Sequence, residues 1–369
     1  MSAPMNIVII GAGVAGLSIG WRLLQAGANV TILERAQPGG GATWASAGMI
    51  ALAAELETSP PAEVSFAHQS NDLWPSFAAE LEEVSGHPIG FTRSGALLLG
   101  NDGAMLASRA TADPALTFLT AEDVCSRWPM LTGEYSGGLW APNEAHVDNR
   151  ALGRALTIAF LKAGGVLKPT EAVVNIFDYQ GRIVGVSTPF TRYPADAVLL
   201  AAGAWSGQVA DVPVTPVKGE MIALTPPPGE DFDFAGPVIW GPDVYLVPRP
   251  APDGGRLLVG ATVEEAGFDT ALTKGALATL RNRAVRVIPA LARWKLDEHW
   301  AGLRPASPDG LPLLGPWGDK PGLFVASGQY RNGILFAPAI ADLMAKMILG
   351  KAEPIAAFDP RRFNKDKTS

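Results

Sequence analysis

The feature that most constrains the fold is a glycine triplet, Gly11-x-Gly13-x-x-Gly16, close to the start of the chain. It follows directly on the apolar run at residues 7–10, which is typical of a strand buried on both faces. Residues 17–24 then carry leucines at helical spacing, and residues 29–33 form a second apolar run. Together these segments predict a βαβ unit of about 30 residues with the glycines at its first turn.

This glycine spacing has a mechanical meaning in a βαβ unit. Gly11 allows the tight turn, Gly13 lets the backbone approach a pyrophosphate, and Gly16 lets helix and strand pack closely. The helix N-terminus offers N–H groups and a positive dipole end to the phosphates. Glu34, which closes the second strand, suits hydrogen bonds from an adenosine ribose and would repel a 2′-phosphate. We therefore predict a dinucleotide site; the alternative is a tight turn that serves packing alone.

Composition argues against several other classes of protein. The 369 residues allow two domains, and a hydrophobic share of 48% suffices for a full core. The formal net charge of −7, without runs of Lys or Arg, argues against nucleic acid as a partner. Cys125 is the only cysteine, which rules out an internal disulfide framework and fits a cytoplasmic protein. We expect no metal site, because the four histidines are scattered, and neither a signal peptide nor a membrane-spanning helix.

Three further segments have the character of ligand-binding backbone. The small residues at 38–49 leave the C-terminal edge of the second strand, where open α/β sheets bind ligands. The alternative for this segment is a flexible surface loop. Gly203 and Trp205 follow another buried run, and residues 332–335 offer free N–H groups at the start of a helix. The sequence has no second glycine triplet of the same spacing, so we see no separate site for NAD.

The remaining pattern predicts the other elements. Helices are expected at residues 62–85, 151–163, 272–287 and in the stretch that ends at 348. We interpret residues 91–140 as short strands and turns, 166–176 as one strand, 183–186 with 197–201 as a small sheet, and 323–326 as a late strand. Strands at 218–224, 244–248 and 256–260, with a hairpin turn at Asp253-Gly254-Gly255, predict a mostly antiparallel sheet.

Taken together, these residues resemble the FAD-dependent D-amino-acid oxidase superfamily, and within it the glycine oxidases of thiamine biosynthesis. The resemblance covers nearly the whole chain. Besides the glycine triplet, the motifs are Ser46-Ala-Gly-Met49, Pro216-Val-Lys-Gly-Glu220, Tyr245-Leu-Val-Pro-Arg249, Val259-Gly-Ala-Thr262, Trp300-Ala-Gly-Leu-Arg-Pro305 and Arg331-Asn-Gly-Ile-Leu335. The last two are quite specific as a pair.

The resemblance implies an α/β fold in two parts. A Rossmann-like FAD-binding domain of the glutathione-reductase type would comprise residues 1–55, 147–211 and 300–369. A substrate domain, built on a large antiparallel sheet with helices, would comprise residues 56–146 and 212–299. The resemblance also implies a homo-oligomer, specifically a homotetramer.

Site residues are expected at matching positions, in addition to those singled out above. The complete set expected at FAD is Gly11, Gly13, Val14, Ala15, Gly16, Glu34, Arg35, Ala42, Thr43, Ala47, Gly48, Met49, Val173, Gly203, Trp205, Gln329, Tyr330, Arg331, Asn332, Gly333, Ile334 and Leu335. For the substrate, Arg304 matches the arginine that binds the carboxylate, and Tyr245 matches the tyrosine that assists it. Arg331 and Met49 are expected in the same catalytic site.

Two positions depart from the family pattern. Asp243 and Gln329 stand where glycine oxidases often have histidine. An acid at position 243, if it lay near the site, would repel anionic substrates or favour an amine.

The implied activity is oxidation of glycine, sarcosine and small D-amino acids by O2, giving a 2-oxo acid, ammonia or an amine, and hydrogen peroxide. We expect the FAD to be non-covalent, because sarcosine-oxidase relatives link flavin through a cysteine near the C-terminal part, and this chain has none there. The alternative within enzymes is a D-amino-acid or D-hydroxyproline dehydrogenase that passes electrons to a quinone. Two other classes fit less well. An oxidase module for modified uridine in transfer RNA would need a fused methyltransferase and a basic surface, and a non-catalytic flavin-binding protein would not need the carboxylate-binding set.

Overall fold

Two large sheets organise the chain, for which the computed structural model describes residues 3–131, 135–251 and 255–367. The helices in these ranges are α1 Val14–Gln25, α2 Gly41–Ala45, α3 Pro61–Ser85, α4 Gly103–Ala112, α5 Ala121–Arg127, α6 Asn149–Lys162, α7 Ser206–Ala210, α8 Lys274–Val287 and α9 Ala337–Ile348. The first strands are β1 Asn6–Ile10, β2 Asn29–Leu33, β3 Met49–Ile50, β4 Ala96–Gly100, β5 Thr117–Thr120, β6 Gly137–Ala141, β7 Ala145–His146, β8 Val166–Lys168, β9 Asn175–Tyr179 and β10 Arg182–Ser187. The later strands are β11 Arg192–Pro194, β12 Ala197–Leu200, β13 Thr215–Thr225, β14 Val238–Gly241, β15 Val244–Arg249, β16 Arg256–Gly260, β17 Lys295–Ala306, β18 Leu313–Pro316 and β19 Leu323–Ser327.

The first sheet has six strands in the order β18-β19-β12-β1-β2-β8. Strand β1 pairs in parallel with both β2 and β12, and only the edge pair of β18 and β19 is antiparallel. Alternate residues of β1 enter two different cores: Ile7 and Ile9 join the helix layer, and Val8 and Ile10 join the core of the opposite face. Burial on both faces explains the continuous apolar run.

The turn after β1 depends on glycine. Gly11 has φ +105, and a Cβ there would meet the carbonyl oxygen of Ala201 at 2.5 Å. A Cβ on Gly16 would collide with the carbonyl of Gly11 itself, so α1 leaves the sheet only because both side chains are absent.

The second sheet has eight strands in the order β17-β13-β16-β15-β14-β4-β6-β5. All its pairs are antiparallel except β14 with β4. Along β13, Ile222 and Leu224 pack in the core that includes α8, whereas Met221 and Ala223 face the opposite cluster with Tyr245. This alternation turns one face of the sheet toward α8 and the other toward α2, whose Ala45 joins the same cluster as Met221. The predicted fold class, a Rossmann-like domain with a second domain on an antiparallel sheet, is confirmed.

Three local predictions are wrong. Residues 91–140 contain helices α4 and α5 as well as strands; Asp102 caps α4 and Thr120 forms a capping box with Asp123 on α5. Residues 166–176 form parts of β8 and β9, interrupted at Pro169 and at Thr170, which has φ +59. The expected small sheet is divided, because β10 pairs with β9 and β11 whereas β12 pairs with β1 and β19. Of the predicted hairpin turn, Asp253 and Gly254 lie outside the described residues.

The domain boundaries stay a prediction, and two contacts favour moving them. Helix α3, placed with the substrate domain, buries Phe66, Trp74 and Leu81 in the core shared with α1 and α9. Strand β17, divided at residue 300 by the predicted boundary, is continuous and pairs with β13 along its length. We propose that α3 belongs with the first sheet and all of β17 with the second.

Within the described ranges, no helix combines the length and apolar character needed to cross a membrane.

Candidate active site

A cavity of about 530 Å³ lies beyond the C-terminal ends of β1, β2 and β12. This is the edge where doubly wound sheets bind ligands. Sixteen of the residues expected at FAD line it: Gly11, Gly13, Val14, Ala15, Glu34, Arg35, Ala42, Thr43, Val173, Gly203, Trp205, Gln329, Tyr330, Arg331, Gly333 and Ile334. Segments far apart in sequence therefore meet around one space.

The cavity wall near α1 is held by side-chain to backbone hydrogen bonds. The N–H of Val14, at the first residue of α1, donates to Thr43 Oγ1 at 2.9 Å. The two oxygens of Glu34 accept from the N–H groups of Ala12 and Ala36, each at 2.8 Å. These bonds fix the acid at the end of β2 and fix α2 against the glycine turn.

Arg35 and Trp205 form a second part of the wall. The guanidinium carbon of Arg35 lies 3.8 Å from the centre of the Trp205 ring, in cation–π contact. Phe268 also packs against this ring, at 5.8 Å between ring centres. Trp205 thus brings the 3-10 turn Gly203–Trp205 onto the predicted nucleotide side of the cavity.

The residues present fit a flavin dinucleotide. The start of α1 suits phosphate, and Glu34 stands at the position of a ribose-binding acid. The side-chain Nε2 of Gln329 is buried and has no hydrogen-bond partner among the described residues. A buried donor without a partner is costly, and this one belongs to a cavity-lining residue, so a bound group with acceptors would satisfy it.

A smaller pocket of about 90 Å³ shares walls with the large cavity. The residues common to both are Ala42, Ser46, Leu303, Tyr330, Arg331 and Ile334. The predicted residues that line the smaller pocket also include Ala47, Gly48, Met49, Tyr245, Arg304 and Asn332. The structure therefore brings all four predicted catalytic residues, Tyr245, Arg304, Arg331 and Met49, to one place beside the dinucleotide cavity.

Arg304 is oriented by the large sheet. Its Nη1 donates to the carbonyl oxygens of Thr262 at 3.1 Å and Lys218 at 3.3 Å. Tyr245 lines the same pocket, and its hydroxyl lies 3.7 Å from Sδ of Met221. Burial raises the pKa of the Tyr245 phenol, so it stays protonated. A fixed guanidinium beside a neutral hydroxyl is an arrangement that binds a carboxylate.

The acid in the pocket is Glu55, which sequence reasoning missed. Its Oε2 lies 2.9 Å from Nε of Arg331. Burial raises the pKa of the Glu55 carboxyl, an effect opposed by the charges of Arg331 and Arg304. Nothing in the sequence around Glu55 marks it. By contrast, Asp243 is exposed in the turn between β14 and β15 and does not line either cavity, so the condition for an effect of an acid at that position is not met.

A buried cation supports the segment at residues 47–49. Arg249 donates to the carbonyl of Ala47, and its Nη1 lies 3.0 Å from Nδ1 of His146. Burial, assisted by the Arg249 charge, lowers the pKa of His146 to about 3, so the ring is neutral and accepts this bond. Met49 in turn pairs with His146 between strands β3 and β7. The backbone beside the pocket is therefore rigidly held from behind.

Two of the predicted residues line neither cavity. Gly16 lies behind the turn, packed against Gly11. Leu335 is buried in the helix layer, and its carbonyl accepts from Ser70 Oγ at 2.7 Å and Trp74 Nε1 at 3.0 Å. Both positions support the walls from behind.

The fold and the two adjoining cavities define an oxidoreductase that uses a dinucleotide cofactor. The model of one family, described as FAD dependent oxidoreductase, matches residues 6–347. The chain belongs to this family, as its motifs predicted, and its cofactor is FAD.

Individual relatives are more specific. The chain is 34% identical to a glycine oxidase of Pseudomonas aeruginosa, over 95% of this chain and 96% of that protein. It is 35% identical to the bifunctional protein ThiO/ThiG of Synechocystis sp., over 98% of this chain and 55% of that protein. The chain thus spans about half the length of the bifunctional relatives it matches. Among solved structures, the glycine oxidase of Geobacillus kaustophilus superposes with a TM-score of 0.88 at 31% identity, covering 98% of this chain and 99% of that one.

Proposed function

We propose that the protein is a glycine oxidase that also accepts sarcosine and small D-amino acids. The observation that carries this proposal is the position of Arg304 and Tyr245 in a pocket that shares its wall with the dinucleotide cavity. A carboxylate bound there has its α-carbon next to the space for the flavin. The likeness to glycine oxidases over nearly the whole chain supports the same substrate class.

The proposed net reaction converts glycine, O2 and water into glyoxylate, ammonia and hydrogen peroxide. FAD, when bound, supplies the two-electron oxidation of the carbon–nitrogen bond and the transfer of those electrons to O2. The substrate loses two electrons and two protons to become an imine, which water hydrolyses. The aldehyde oxygen of glyoxylate comes from that water, and its two carboxylate oxygens are those of glycine.

In this reaction the protein binds and orients the substrate. Arg304 pairs with the carboxylate, and the Tyr245 hydroxyl donates to it, because its raised pKa keeps the proton in place. The pocket of about 90 Å³, bounded by Met49 and Met221, favours substrates with little or no side chain. Small primary and secondary amino acids meet these conditions.

The rival function is a dehydrogenase that transfers electrons to a quinone. A hydrogen peroxide assay across glycine, sarcosine, D-alanine and D-proline tests the substrate class. Mixing the substrate-reduced protein with air in a stopped-flow instrument tests the acceptor. We expect peroxide from glycine and prompt reoxidation; reduced flavin that persists for minutes in air would overturn the oxidase proposal.

The cellular role and assembly are part of the same proposal. We propose that glycine oxidation supplies thiamine biosynthesis in the cytoplasm, in keeping with the ThiO/ThiG relatives and the single cysteine of this chain. We also propose a homotetramer, by resemblance to glycine oxidases. Light scattering on a size-exclusion column measures the assembly, and a thiamine requirement in a deletion strain tests the role.

A further inference from the structure

The substrate pocket contains three charged side chains in two different states of pairing. Arg304 donates to the backbone carbonyls of Thr262 and Lys218 and is in no ion pair among the described residues. Arg331 is in an ion pair with Glu55, at 2.9 Å from Nε to Oε2. The Glu55 side chain is 10% exposed and that of Arg331 is 33% exposed, so water screens this pair from the Arg331 side only.

Glu55 is held in place by the segment that carries it. The carboxylate of Glu144 accepts from the N–H groups of Leu52 at 2.9 Å and Ala53 at 2.5 Å. On the other side, Arg109 Nη2 donates to the carbonyl of Ala53 at 2.8 Å. These contacts clamp the backbone just before Glu55. An incoming anion would therefore have to displace a fixed carboxylate from Arg331.

The charges in the pocket balance one substrate carboxylate. Among the side chains that line the pocket, Arg304 and Arg331 contribute two positive charges and Glu55 one negative charge, which leaves one positive charge for the substrate carboxylate. Behind the pocket, Glu63 accepts from Asn332 Nδ2 at 3.3 Å and adds further negative charge near Glu55. A substrate with two anionic groups would bring a second negative charge, and Arg331 is the remaining cation among the described residues that line the pocket.

We propose that Glu55 is a specificity-determining residue, which occupies Arg331 and so restricts the pocket to substrates with a single anionic group. This inference rests on the proposed function in taking Arg304 as the carboxylate anchor. It implies that removing the Glu55 charge admits dicarboxylic substrates that the native protein excludes.

Binding of simple anions to the flavin-loaded protein tests the charge argument without catalysis. Acetate and malonate, which differ by one carboxylate, are titrated while the flavin absorbance spectrum is recorded. In Glu55→Gln we expect malonate to bind at least about tenfold more tightly than in the native protein, which is about 1.4 kcal/mol. Acetate affinity should change by less than about threefold, because its single charge is already met by Arg304.

Three further variants identify the cause. Glu57→Gln removes a nearby carboxylate that pairs with Arg109 and does not line the pocket, so both affinities should stay native. The double variant Glu55→Gln with Arg331→Gln should lose the malonate gain, because the released cation is gone. Glu55→Asp, which withdraws the charge by one methylene, should give an intermediate gain and serves if Glu55→Gln does not fold. A malonate affinity that stays native in both Glu55 variants would overturn the proposal, as would an equal gain in the double variant.

An activity measurement separates this inference from the proposed function. Iminodiacetate is glycine with a second carboxymethyl group on nitrogen, and its kcat/KM should rise in Glu55→Gln. The ratio of kcat/KM for iminodiacetate to kcat/KM for glycine should therefore rise. If this ratio rises only because kcat/KM for glycine falls, Glu55 contacts the substrate amine and the proposal is overturned. If the native protein gives no peroxide from any amino acid but Glu55→Gln gains malonate affinity, the oxidase function fails and the role of Glu55 stands.

Discussion

The guanidinium of Arg304 lies against the backbone of Gly219, so closely that a Cβ on Gly219 would meet Arg304 Cζ at 2.6 Å. Arg304 pairs with Val217 across strands β17 and β13, and its side chain reaches diagonally over Gly219. Gly302, which is paired with Gly219, has the Cβ position filled by Ala45 of α2. Gly219 on β13 therefore leaves space for the Arg304 guanidinium, and Gly302 on β17 leaves space for helix α2.

Arg304 itself gives the most direct test of the anchor. Arg304→Ala should lower kcat/KM for glycine by at least about 100-fold, since a bidentate pair in a partly dry site should reach the upper end of the roughly 1.5–3 kcal/mol of a charge-assisted bond. Arg304→Lys keeps the charge but loses the planar fork, so we expect an intermediate value. FAD content and Tm should change little. Native kcat/KM per bound flavin in a destabilised Arg304→Ala would mean that Arg304 only stabilises the surrounding loop.

Gly219→Ala tests the same relationship from the other side. The added methyl should push the guanidinium out of register and lower kcat/KM for glycine at least about tenfold, mainly through KM, with FAD retained. Gly275→Ala is the matched control: its Cβ would meet nothing within 4 Å, and in helix α8 it should stabilise by up to about 1 kcal/mol. Native kinetics in Gly219→Ala would show that the guanidinium adjusts without cost.

Gln329 links cofactor affinity to an unmet hydrogen bond. Because its Nε2 has no partner among the described residues, Gln329→Leu should not lower the Tm of the flavin-free protein. The FAD dissociation constant should rise by roughly tenfold, the value of about one hydrogen bond. Fluorescence titration of flavin-free protein with FAD measures this change. A lower Tm with unchanged FAD affinity would contradict the expected role of the amide.

Glu144 should make stability depend on pH. Burial raises the pKa of its carboxyl from 4.5 to about 7, so between these values the folded state holds more protons than the unfolded state. The free energy of unfolding therefore falls as pH rises through this window. Glu144→Gln removes this dependence while keeping an oxygen acceptor for Leu52 and Ala53. The free energy of unfolding of the variant, relative to that of the native protein, should rise from pH 5 to pH 8 by at most about 3 kcal/mol. Thermal unfolding of both proteins across this pH range measures the difference, and a difference that does not change with pH would contradict the raised pKa.

The flavin should be released when the protein unfolds. Cys125 is the only cysteine in the chain, and it lies on α5 at the edge strands of the large sheet. It lines neither of the two cavities. After acid or guanidinium treatment and filtration, we expect the yellow colour in the filtrate. Flavin retained with the polypeptide would point to an unexpected covalent bond.

A feature could be predicted from the sequence when the residues that form it lie close together in the chain. The βαβ unit at residues 6–33 was predictable because apolar spacing and glycines lie side by side in the chain. Arg304 and Tyr245 were predicted only through motifs that resemble a known family. Helices α4 and α5 were missed although their capping residues, Asp102 and Thr120, are visible in the sequence.

The support of the pocket was not predictable, because its partners are distant in sequence. Arg249 donates to the carbonyl of Ala47, which is 202 residues away in the sequence, and no pattern in either segment indicates this contact. Glu55 and Arg331 are similarly brought together only by the complete fold. The Pro216-to-Glu220 motif was visible, but the reason for its glycine needs the position of Arg304.

The strand order of the first sheet also sets when the protein can take up its cofactor during synthesis. Strand β1 lies between β2 and β12, and the N–H of Asn6 bonds to Asp196, which is 190 residues further on. At about 5–20 residues per second, a ribosome needs on the order of 10–40 s to make that interval. The last cavity wall, at Gln329 to Ile334, emerges later still. Flavin uptake therefore has to wait until the chain has been made beyond Ile334, and the apolar β1 remains unpaired on one edge, open to chaperones, until β12 has been made.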